Sequence, residues 1–253
     1  MKLAFIGGSL FGKVNGFTDI EEEQIKTPFG EPSDSFLTGK VGDSEVVFIN
    51  RHGRLHHLAP HQINYRANIF GLKMLEVTHV IAVTAVGGIT KKMSPMQWVV
   101  PDQIIDYTYG RMQTYNDGNE HEVNHIDFTF PFDNDLRQHL VDAVKKENME
   151  CISKATYGAT QGPRLETIAE IKRMEKDGCD IVGMTAMPEA ALARELEMDY
   201  ACLSLVVNWA AGKSNNNDGN QQVSEIVSMG EIKLRIADGN VMVEKIINNL
   251  VSR

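Results

Sequence analysis

A chain of 253 residues can bury a full core in one large α/β domain, and its 42% hydrophobic and 23% charged residues are typical of a globular protein. The net charge of −9 and the scattered Lys and Arg residues argue against nonspecific binding to nucleic acid. No window approaches about 18 apolar residues, and the amino terminus runs straight into glycines. We therefore expect neither a membrane span nor a signal peptide, and we predict a cytoplasmic protein.

Strands and helices alternate along the chain, as judged from β-branched apolar runs and from apolar residues at helical spacing. Strands are predicted at residues 2–6, 45–50, 80–84, 98–106, 151–159, 181–183 and 201–207. Helices are predicted at residues 60–75, 135–147, 166–176, 188–196 and 226–251. This alternation alone predicts a doubly wound α/β sheet. Since no linker or internal repeat divides the chain, residues 1–253 are expected to form a single domain.

The state of the three cysteines and the role of one polar segment each have two possible interpretations. Cys151, Cys179 and Cys202 are widely spaced and lie in apolar surroundings, which favours buried thiols over a disulfide or metal set. The segment 213–222 follows the last predicted strand and is rich in Asn. It is either a lid over a ligand or a solvated connection.

Residues suited to anion binding follow the first two predicted strands, at the sheet edge where ligands of α/β proteins bind. Gly7-Gly8-Ser9 offers backbone N–H groups and a hydroxyl, although it has neither the third glycine of a dinucleotide motif nor the lysine of a P-loop. Arg51 can hold two phosphate oxygens at once. A solvated turn is the alternative explanation for Arg51 and the neighbouring His52.

Two further strand ends carry polar groups. The hydroxyl of Thr84 and the small residues after it would complete an anion site. Thr185 stands where a helix begins and would attract an anion there, whereas the alternative is a simple helix cap. Met184 offers a polarizable surface to a sugar or base, or else fills the core.

Asn208 ends the apolar run of the last predicted strand. Its amide has one acceptor oxygen and two donor hydrogens, which suits the edge of a heterocycle that presents both kinds of group. The alternative is an Asn that merely stops the strand.

Six motifs occur in the order and spacing of the trimeric purine nucleoside phosphorylase and methylthioadenosine phosphorylase family, and the similarity covers nearly the whole chain. They are Ile6-Gly7-Gly8-Ser9, Arg51-His52-Gly53, Asn64-Tyr65-Arg66-Ala67-Asn68, Thr84-Ala85-Val86-Gly87-Gly88, Thr160-Gln161-Gly162-Pro163-Arg164 and Gly183-Met184-Thr185-Ala186-Met187-Pro188-Glu189. The resemblance implies a single-domain α/β sandwich with a mixed, partly barrel-like central sheet flanked by helices. It also implies a homotrimer with sites near subunit contacts.

The same resemblance implies a phosphate site and a nucleoside site. The phosphate site would comprise Ser9, Arg51, His52, Thr84, Ala85 and Thr185. The nucleoside site would comprise Leu165 at the base, Met184 under the ribose, Asn208 as the catalytic residue, His125 from a neighbouring subunit, and Met229 and Ile232 around the 5′ group. Two residues depart from the family pattern: Leu10 replaces a glycine of the phosphate loop, and Leu165 replaces an aromatic residue.

The implied reaction is phosphorolysis, in which phosphate attacks the anomeric carbon of a nucleoside as the purine leaves. This reaction requires no cofactor beyond inorganic phosphate as co-substrate, and we expect no metal. His56, His57 and His61 are interpreted as turn and helix-entry residues, because neither a cysteine nor a further histidine completes a zinc ligand set.

The resemblance also indicates the substrate. Family members that act on 6-aminopurines have an aspartate at the position of Asn208 and a second acid at Ala210, so this chain is expected to act on 6-oxopurines. The rest of the chain resembles the methylthio-nucleoside branch, which makes methylthioinosine the expected substrate in a purine-salvage reaction. The alternatives are an inosine or guanosine phosphorylase, a methylthioadenosine phosphorylase, and a sensor that binds purine nucleosides without cleaving them.

Overall fold

The computed structural model describes residues 2–8, 16–116, 118, 122–214 and 228–251. The strands are β1 (Leu3–Gly7), β2 (Phe17–Glu23), β3 (Phe36–Val41), β4 (Ser44–Asn50), β5 (His79–Gly88), β6 (Trp98–Val99), β7 (Gln103–Asp106), β8 (Cys151–Ile152), β9 (Thr156–Ala159), β10 (Ile181–Gly183) and β11 (Asp199–Trp209). The helices are α1 (Tyr65–Met74), α2 (Asn134–Lys146), α3 (Ile168–Lys176), α4 (Ala186–Glu195) and α5 (Met229–Val251).

These strands form one mixed sheet, and β5 lies at its centre. The first half of β5 lies between two parallel neighbours, β1 and β11. Beyond the end of β1, β10 takes its place and pairs antiparallel with Gly87 and Gly88. Hydrogen-bonded pairs then lead from β10 to β9, and from β11 through β6 to β8, with only residues 153–155 between β8 and β9. The sheet thus returns toward β5, which confirms the expected mixed, partly barrel-like architecture.

Helices cover both faces of this sheet, because alternate side chains of its central strands face two apolar layers. In β11, Tyr200 and Cys202 face the layer formed with α1 and α4. Ala201 and Leu203 face the other layer, formed with α2 and α5. The sandwich therefore holds the carboxyl ends of the central strands between two packed layers. In the described part of the chain, no helix is both long and apolar enough to span a bilayer.

The strand prediction was incomplete at β2 and β3. The side chains of β2 are largely exposed and its sequence ends in three glutamates, so it lacks the apolar pattern of a strand. Its pairing with β3, and that of β3 with β4, extends the sheet as an antiparallel edge that the predicted strands did not include. Two long predicted strands are also each divided in two, the first of them around Pro101.

The helix prediction was wrong mainly in its first boundary. α1 begins at Tyr65 rather than at residue 60, because Asn64 caps it by accepting a hydrogen bond from the Ala67 backbone N–H. The described part of the last helix begins at Met229, while predicted residues 226 and 227 lie outside the described residues. Cys179 and Cys202 are buried and Cys151 is half-buried, all as free thiols.

Candidate active site

A cavity of about 510 Å³ opens where β1, β4, β5, β10 and β11 end. Most of the predicted site residues line it together: Arg51, His52, Thr84, Ala85, Leu165, Met184, Thr185, Asn208, Met229 and Ile232. His125 does not line the cavity and is exposed in the segment before α2. Ser9 and Leu10 lie outside the described residues, as does most of the segment 213–222. The neighbouring Gly8 lines the cavity.

Two irregularities of the sheet bring these residues together. β10 runs antiparallel to the end of β5, and Val182 lies opposite Gly87. The chain therefore leaves β10 in the direction opposite to β5, and Thr185, two residues after β10, lies at the cavity. In β11, a β-bulge at Val207 shifts the register before Asn208. The Val207 carbonyl accepts a hydrogen bond from Arg235 of α5 at 2.8 Å. Bulges commonly redirect a side chain next to an active site.

Arg51 is only 1% exposed, and Glu189 occupies one edge of its guanidinium. Its Nε–H and Nη2–H groups donate to the two carboxylate oxygens at 2.7 and 2.8 Å. Nη2 and Nη1 also donate to the backbone carbonyls of Ile6 and Val83 at 3.2 and 3.3 Å. Of the five N–H groups, one on Nη1 has no partner among the described residues. The two-oxygen grip on phosphate that the sequence suggested is instead made on Glu189.

Glu189 is fully buried in α4, and the Tyr200 hydroxyl also donates to it, at 2.9 Å. Burial acts to lower the pKa of Arg51, but the charge and hydrogen bonds of Glu189 outweigh burial and raise it. Arg51 therefore keeps its positive charge, and the carboxylate of Glu189 balances it. Glu189 was predicted only as part of a motif; the available signal was an acid inside the otherwise apolar run of residues 186–193.

His52 is a neutral hydrogen-bonding group rather than a cation. Its Nδ1 lies 2.8 Å from the Leu58 carbonyl oxygen, which can only accept, so Nδ1 carries the proton. Burial above all, and then the nearby charges of Arg51 and His56, lower its pKa to about 4 despite that hydrogen bond. At neutral pH the other ring nitrogen, Nε2, is a bare acceptor. It can bind a hydroxyl of a protonated phosphate, but it adds no positive charge to the site.

This lowered pKa predicts a pH-dependent stability. Unfolded His52 takes up a proton near pH 6.5, whereas the folded protein resists that proton until about pH 4. The free energy of unfolding of the wild type should therefore fall as the pH is lowered through this window, and His52→Asn should lack that component. Urea unfolding at several pH values measures the difference, with exposed His61→Asn as the control. Parallel curves for wild type and His52→Asn would contradict the assignment.

The hydroxyl of Thr84 belongs to a small buried polar group beneath the cavity. Its Oγ1 lies 2.9 Å from Ser204 Oγ and 3.3 Å from Cys202 Sγ. Thr185 occupies the N-cap position of α4, but its side chain makes no capping hydrogen bond. Its hydroxyl is thus not used as a helix cap, which was the alternative explanation, and the residue faces the cavity instead.

The other end of the cavity presents an amide and a carboxylate. Asn208 donates one Nδ2–H to the Trp209 carbonyl at 2.7 Å, which leaves one N–H and the side-chain oxygen for a ligand. Glu166 also lines the cavity and accepts a hydrogen bond from Thr160 Oγ1 at 2.7 Å. Sequence analysis missed Glu166, although it directly follows Leu165, which is 41% exposed at the cavity wall.

An apolar wall completes the cavity between these two ends. The wall comes from one face of α5 and consists of Met229, Ile232 and Ile236. Met184 lies against Gly162, where a Cβ would approach its sulfur to 2.5 Å and where the backbone has a φ of 58°. This position favours glycine, because a side chain would be strained by the left-handed conformation and would displace the Met184 sulfur.

The three histidines near β4 lie in turns and connecting residues, as expected, and all three are exposed. His56 and His57 also contribute to the lining of the cavity. Within the described ranges, no three His, Cys, Asp or Glu side chains are grouped so as to hold a metal ion.

Comparisons with known proteins agree with this geometry. The chain is 47% identical over 236 residues to a "Probable S-methyl-5'-thioinosine phosphorylase" of Pseudomonas syringae pv. tomato, covering 93% of this chain and 92% of the relative. It is 44% identical to a "6-oxopurine nucleoside phosphorylase" of Pyrococcus furiosus, with coverages of 89% and 86%. The structure of methylthioadenosine phosphorylase from Schistosoma mansoni in complex with adenine superposes with a TM-score of 0.91 at 32% identity, covering 100% of this chain and 91% of that one. The profile of the Phosphorylase superfamily matches residues 2–234, and the chain therefore belongs to that superfamily.

Proposed function

We propose that this enzyme cleaves S-methyl-5′-thioinosine with inorganic phosphate, giving hypoxanthine and 5-methylthioribose 1-phosphate. The observation that carries the proposal is the composition of one cavity. Its lining brings together the side chains of Arg51, His52, Thr84 and Thr185, the amide of Asn208, the carboxylate of Glu166 and an apolar face of α5. Its volume of about 510 Å³ is typical of small-molecule sites. The names of its relatives support the same activity.

Phosphate would bind at the end formed by Arg51, His52, Thr84, Ala85 and Thr185. The free N–H of Arg51 and the hydroxyls of the two threonines can donate to its oxygens, and His52 Nε2 can accept from its hydroxyl. A phosphate held in this way would present one of its oxygens to the anomeric carbon of a bound nucleoside. Positioning of this kind can supply several kcal/mol of the barrier reduction, on the order of 7–11 in well-oriented intramolecular reactions.

The base end favours a 6-oxopurine. Hypoxanthine presents an N–H at N1, where the carboxylate of Glu166 can accept, whereas adenine presents a lone pair there that the carboxylate would repel. The free N–H of Asn208 can donate to N7 or O6. A mismatch at either residue would leave a buried polar group unpaired, at a cost of about 1–3 kcal/mol.

The reaction requires no nucleophile from the protein, because phosphate itself attacks the sugar. A phosphate oxygen forms a bond to C1′ as the bond from C1′ to N9 breaks, and the bonding pair leaves with the purine. Asn208 stabilises the negative charge that develops on the purine by donating to N7, and the purine takes its proton from solvent. The positive charge that develops on the sugar is balanced by the bound phosphate itself. Accordingly, we propose that phosphate is the co-substrate and that no cofactor takes part.

The 5′ substituent is assigned from the helix wall. The residues by which α5 lines the cavity are Met229, Ile232 and Ile236, which offer only apolar surface. A methylthio group gains free energy against such a wall, whereas a 5′-hydroxyl would lose its water without gaining a partner. The similarity to a 6-oxopurine nucleoside phosphorylase keeps inosine and guanosine phosphorolysis as the second candidate.

The oligomer is part of the same proposal. His125 is exposed and remote from the cavity lining of its own chain, so a contact with the nucleoside would require a neighbouring subunit. Exposed apolar side chains such as Phe130 and Tyr109 would be buried in such an assembly. We propose a cytoplasmic homotrimer, and its mass in solution tests this.

Catalytic efficiency toward four nucleosides tests the function. With phosphate present, kcat/KM should be highest for methylthioinosine, followed by inosine and guanosine, and lowest for methylthioadenosine. One missing group typically changes kcat/KM by about 10–200-fold. A preference for inosine would select the second candidate, and a preference for methylthioadenosine would overturn the roles of Asn208 and Glu166. If the protein binds a purine nucleoside but releases no base, it is a sensor rather than an enzyme.

A further inference from the structure

Arg111 lies in the segment between β7 and α2, outside the lining of the cavity, and has an unusual set of partners. All of its hydrogen bonds go to neutral oxygens, and no carboxylate pairs with it among the described residues. Nη1 donates to the carbonyls of Met184 and Met187 at 2.8 and 2.6 Å. Nη2 donates to those of Thr160 and Gln161 at 3.1 and 2.9 Å.

The remaining contacts complete the coordination of the guanidinium. Nε donates to Gln161 Oε1 at 3.1 Å, Nη1 also reaches the Tyr65 hydroxyl at 3.2 Å, and the cation lies 5.5 Å from the centre of the Tyr65 ring. Every donor of Arg111 is thereby engaged, and the residue is nine-tenths buried. The segment that carries Arg111 is itself anchored, because the backbone N–H of Tyr115 donates to Glu195 of α4 at 2.7 Å.

The four carbonyls belong to two segments that contribute to the cavity lining. One, the loop of residues 160–166, carries Leu165 and Glu166. The other, residues 184–187, runs from the end of β10 into the start of α4 and carries Met184 and Thr185. The segments already touch where Gly162 meets the Met184 sulfur, and Arg111 binds both from behind. Its hydrogen bonds therefore fix the distance between Leu165, which is expected beside the base, and Met184, which is expected under the ribose.

We propose that Arg111 is a positioning residue that sets the angle between base and sugar in the bound nucleoside. This inference rests on the proposed function for the identity of the substrate. Arg111 cannot be replaced by Lys, because three donors on one atom cannot span four carbonyls in two segments. Most of the proposed phosphate residues stand on β4 and β5 or directly after β4, which Arg111 does not contact among the described hydrogen bonds; only Thr185 lies between carbonyls that Arg111 holds. Loss of Arg111 should therefore affect nucleoside binding more than phosphate binding.

Steady-state kinetics of Arg111→Met, Arg111→Lys and Arg111→Ala test the proposal, with Arg137→Met as the matched control. Arg137 also uses its guanidinium to hold backbone carbonyls, those of Pro101 and Ser153, but far from the cavity lining. We expect kcat/KM for methylthioinosine to fall about 100-fold in Arg111→Met, as a small misplacement of reacting groups can cause, while the KM for phosphate, which depends on Arg111 only through Thr185, rises by no more than about fivefold. Added guanidinium should restore part of the activity of Arg111→Ala in a saturable manner.

The Arg137→Met variant distinguishes a positioning role of Arg111 from a purely stabilising one. Arg137→Met should lower the melting temperature about as much as Arg111→Met while leaving both KM values unchanged. Equal kinetic losses in the two variants, a loss confined to phosphate KM, or wild-type kinetics in Arg111→Lys would each overturn the proposal. If Arg111→Met does not fold, Arg111→Lys decides alone. If the wild type cleaves another purine nucleoside instead, the proposed function fails, but the same comparison with that nucleoside still tests Arg111.

Discussion

Glu189→Gln is expected to destabilise the protein by about 3–5 kcal/mol, the cost of leaving a buried charge without its counterion. Arg51 would keep its position between the carbonyls of Ile6 and Val83, but an amide would place an N–H group against a guanidinium donor. Activity should fall as well, because the free Arg51 N–H at the cavity would lose its orientation. Urea unfolding and phosphate KM measure the two effects.

An exposed carboxylate provides the control for this change. Glu170 pairs with Arg164 at 2.7 Å and also accepts the Thr167 backbone N–H in the capping box of α3. A glutamine keeps that capping hydrogen bond and the ion pair is largely solvated, so Glu170→Gln should cost less than about 1 kcal/mol. The double variant Arg51→Met/Glu189→Met should recover much of the stability, because no buried charge remains, while activity stays lost. Wild-type stability in Glu189→Gln, or restored activity in the double variant, would contradict the assigned role of the pair.

Asn208→Asp combined with Ala210→Asp is expected to raise the ratio of kcat/KM for methylthioadenosine over methylthioinosine by about 100-fold. A carboxyl at position 208 can be protonated to donate to N7, or ionised to accept from the exocyclic amine of adenine, and an amide cannot do both. Both positions line the cavity. Competing the two nucleosides in one reaction measures the ratio directly.

Glu166 should limit the increase in the kcat/KM ratio for methylthioadenosine over methylthioinosine, because its carboxylate would still face the N1 edge of the base. Adding Glu166→Gln supplies an N–H for the N1 lone pair of adenine, so the triple variant should exceed the double variant. Asn208→Ala serves as the control, since it should slow cleavage of both nucleosides and change their ratio far less than the double variant does. An unchanged ratio in both the double and the triple variant would show that these residues do not select the base.

The sequence predicts the site residues that stand at strand ends, because an apolar run followed by Gly, Arg, Thr or Asn is a local pattern. Asn208 and Thr84 were found in this way, and the structure brings both to one cavity. Their roles in catalysis and phosphate binding stay predictions. β2 was missed because its side chains are largely exposed. β3 was missed because Thr38, Gly39 and Lys40 interrupt its apolar residues, so no apolar run marks it.

The residues that hold the site together could not be predicted in the same way. Glu189 is distant from Arg51 in sequence, and only the packing of α4 against the sheet shows that the two form a buried pair. Arg111 lies in a segment without regular structure, and its partners are backbone carbonyls, which carry no sequence signal. The sequence gives no signal for the β-bulge at Val207 either, although this bulge sets the register of Asn208.

The central position of β5 also has a consequence for folding. Its neighbours β1 and β11 come from opposite ends of the chain, so the parallel pairings that create the cavity are among the least local in the molecule. Contacts of this kind require the closure of long loops and form late and slowly. A partly folded chain that has not yet docked β11 has no Asn208 at the cavity. Substrate can therefore bind only the completed sheet, and it stabilises the native state as a whole rather than any fragment of it.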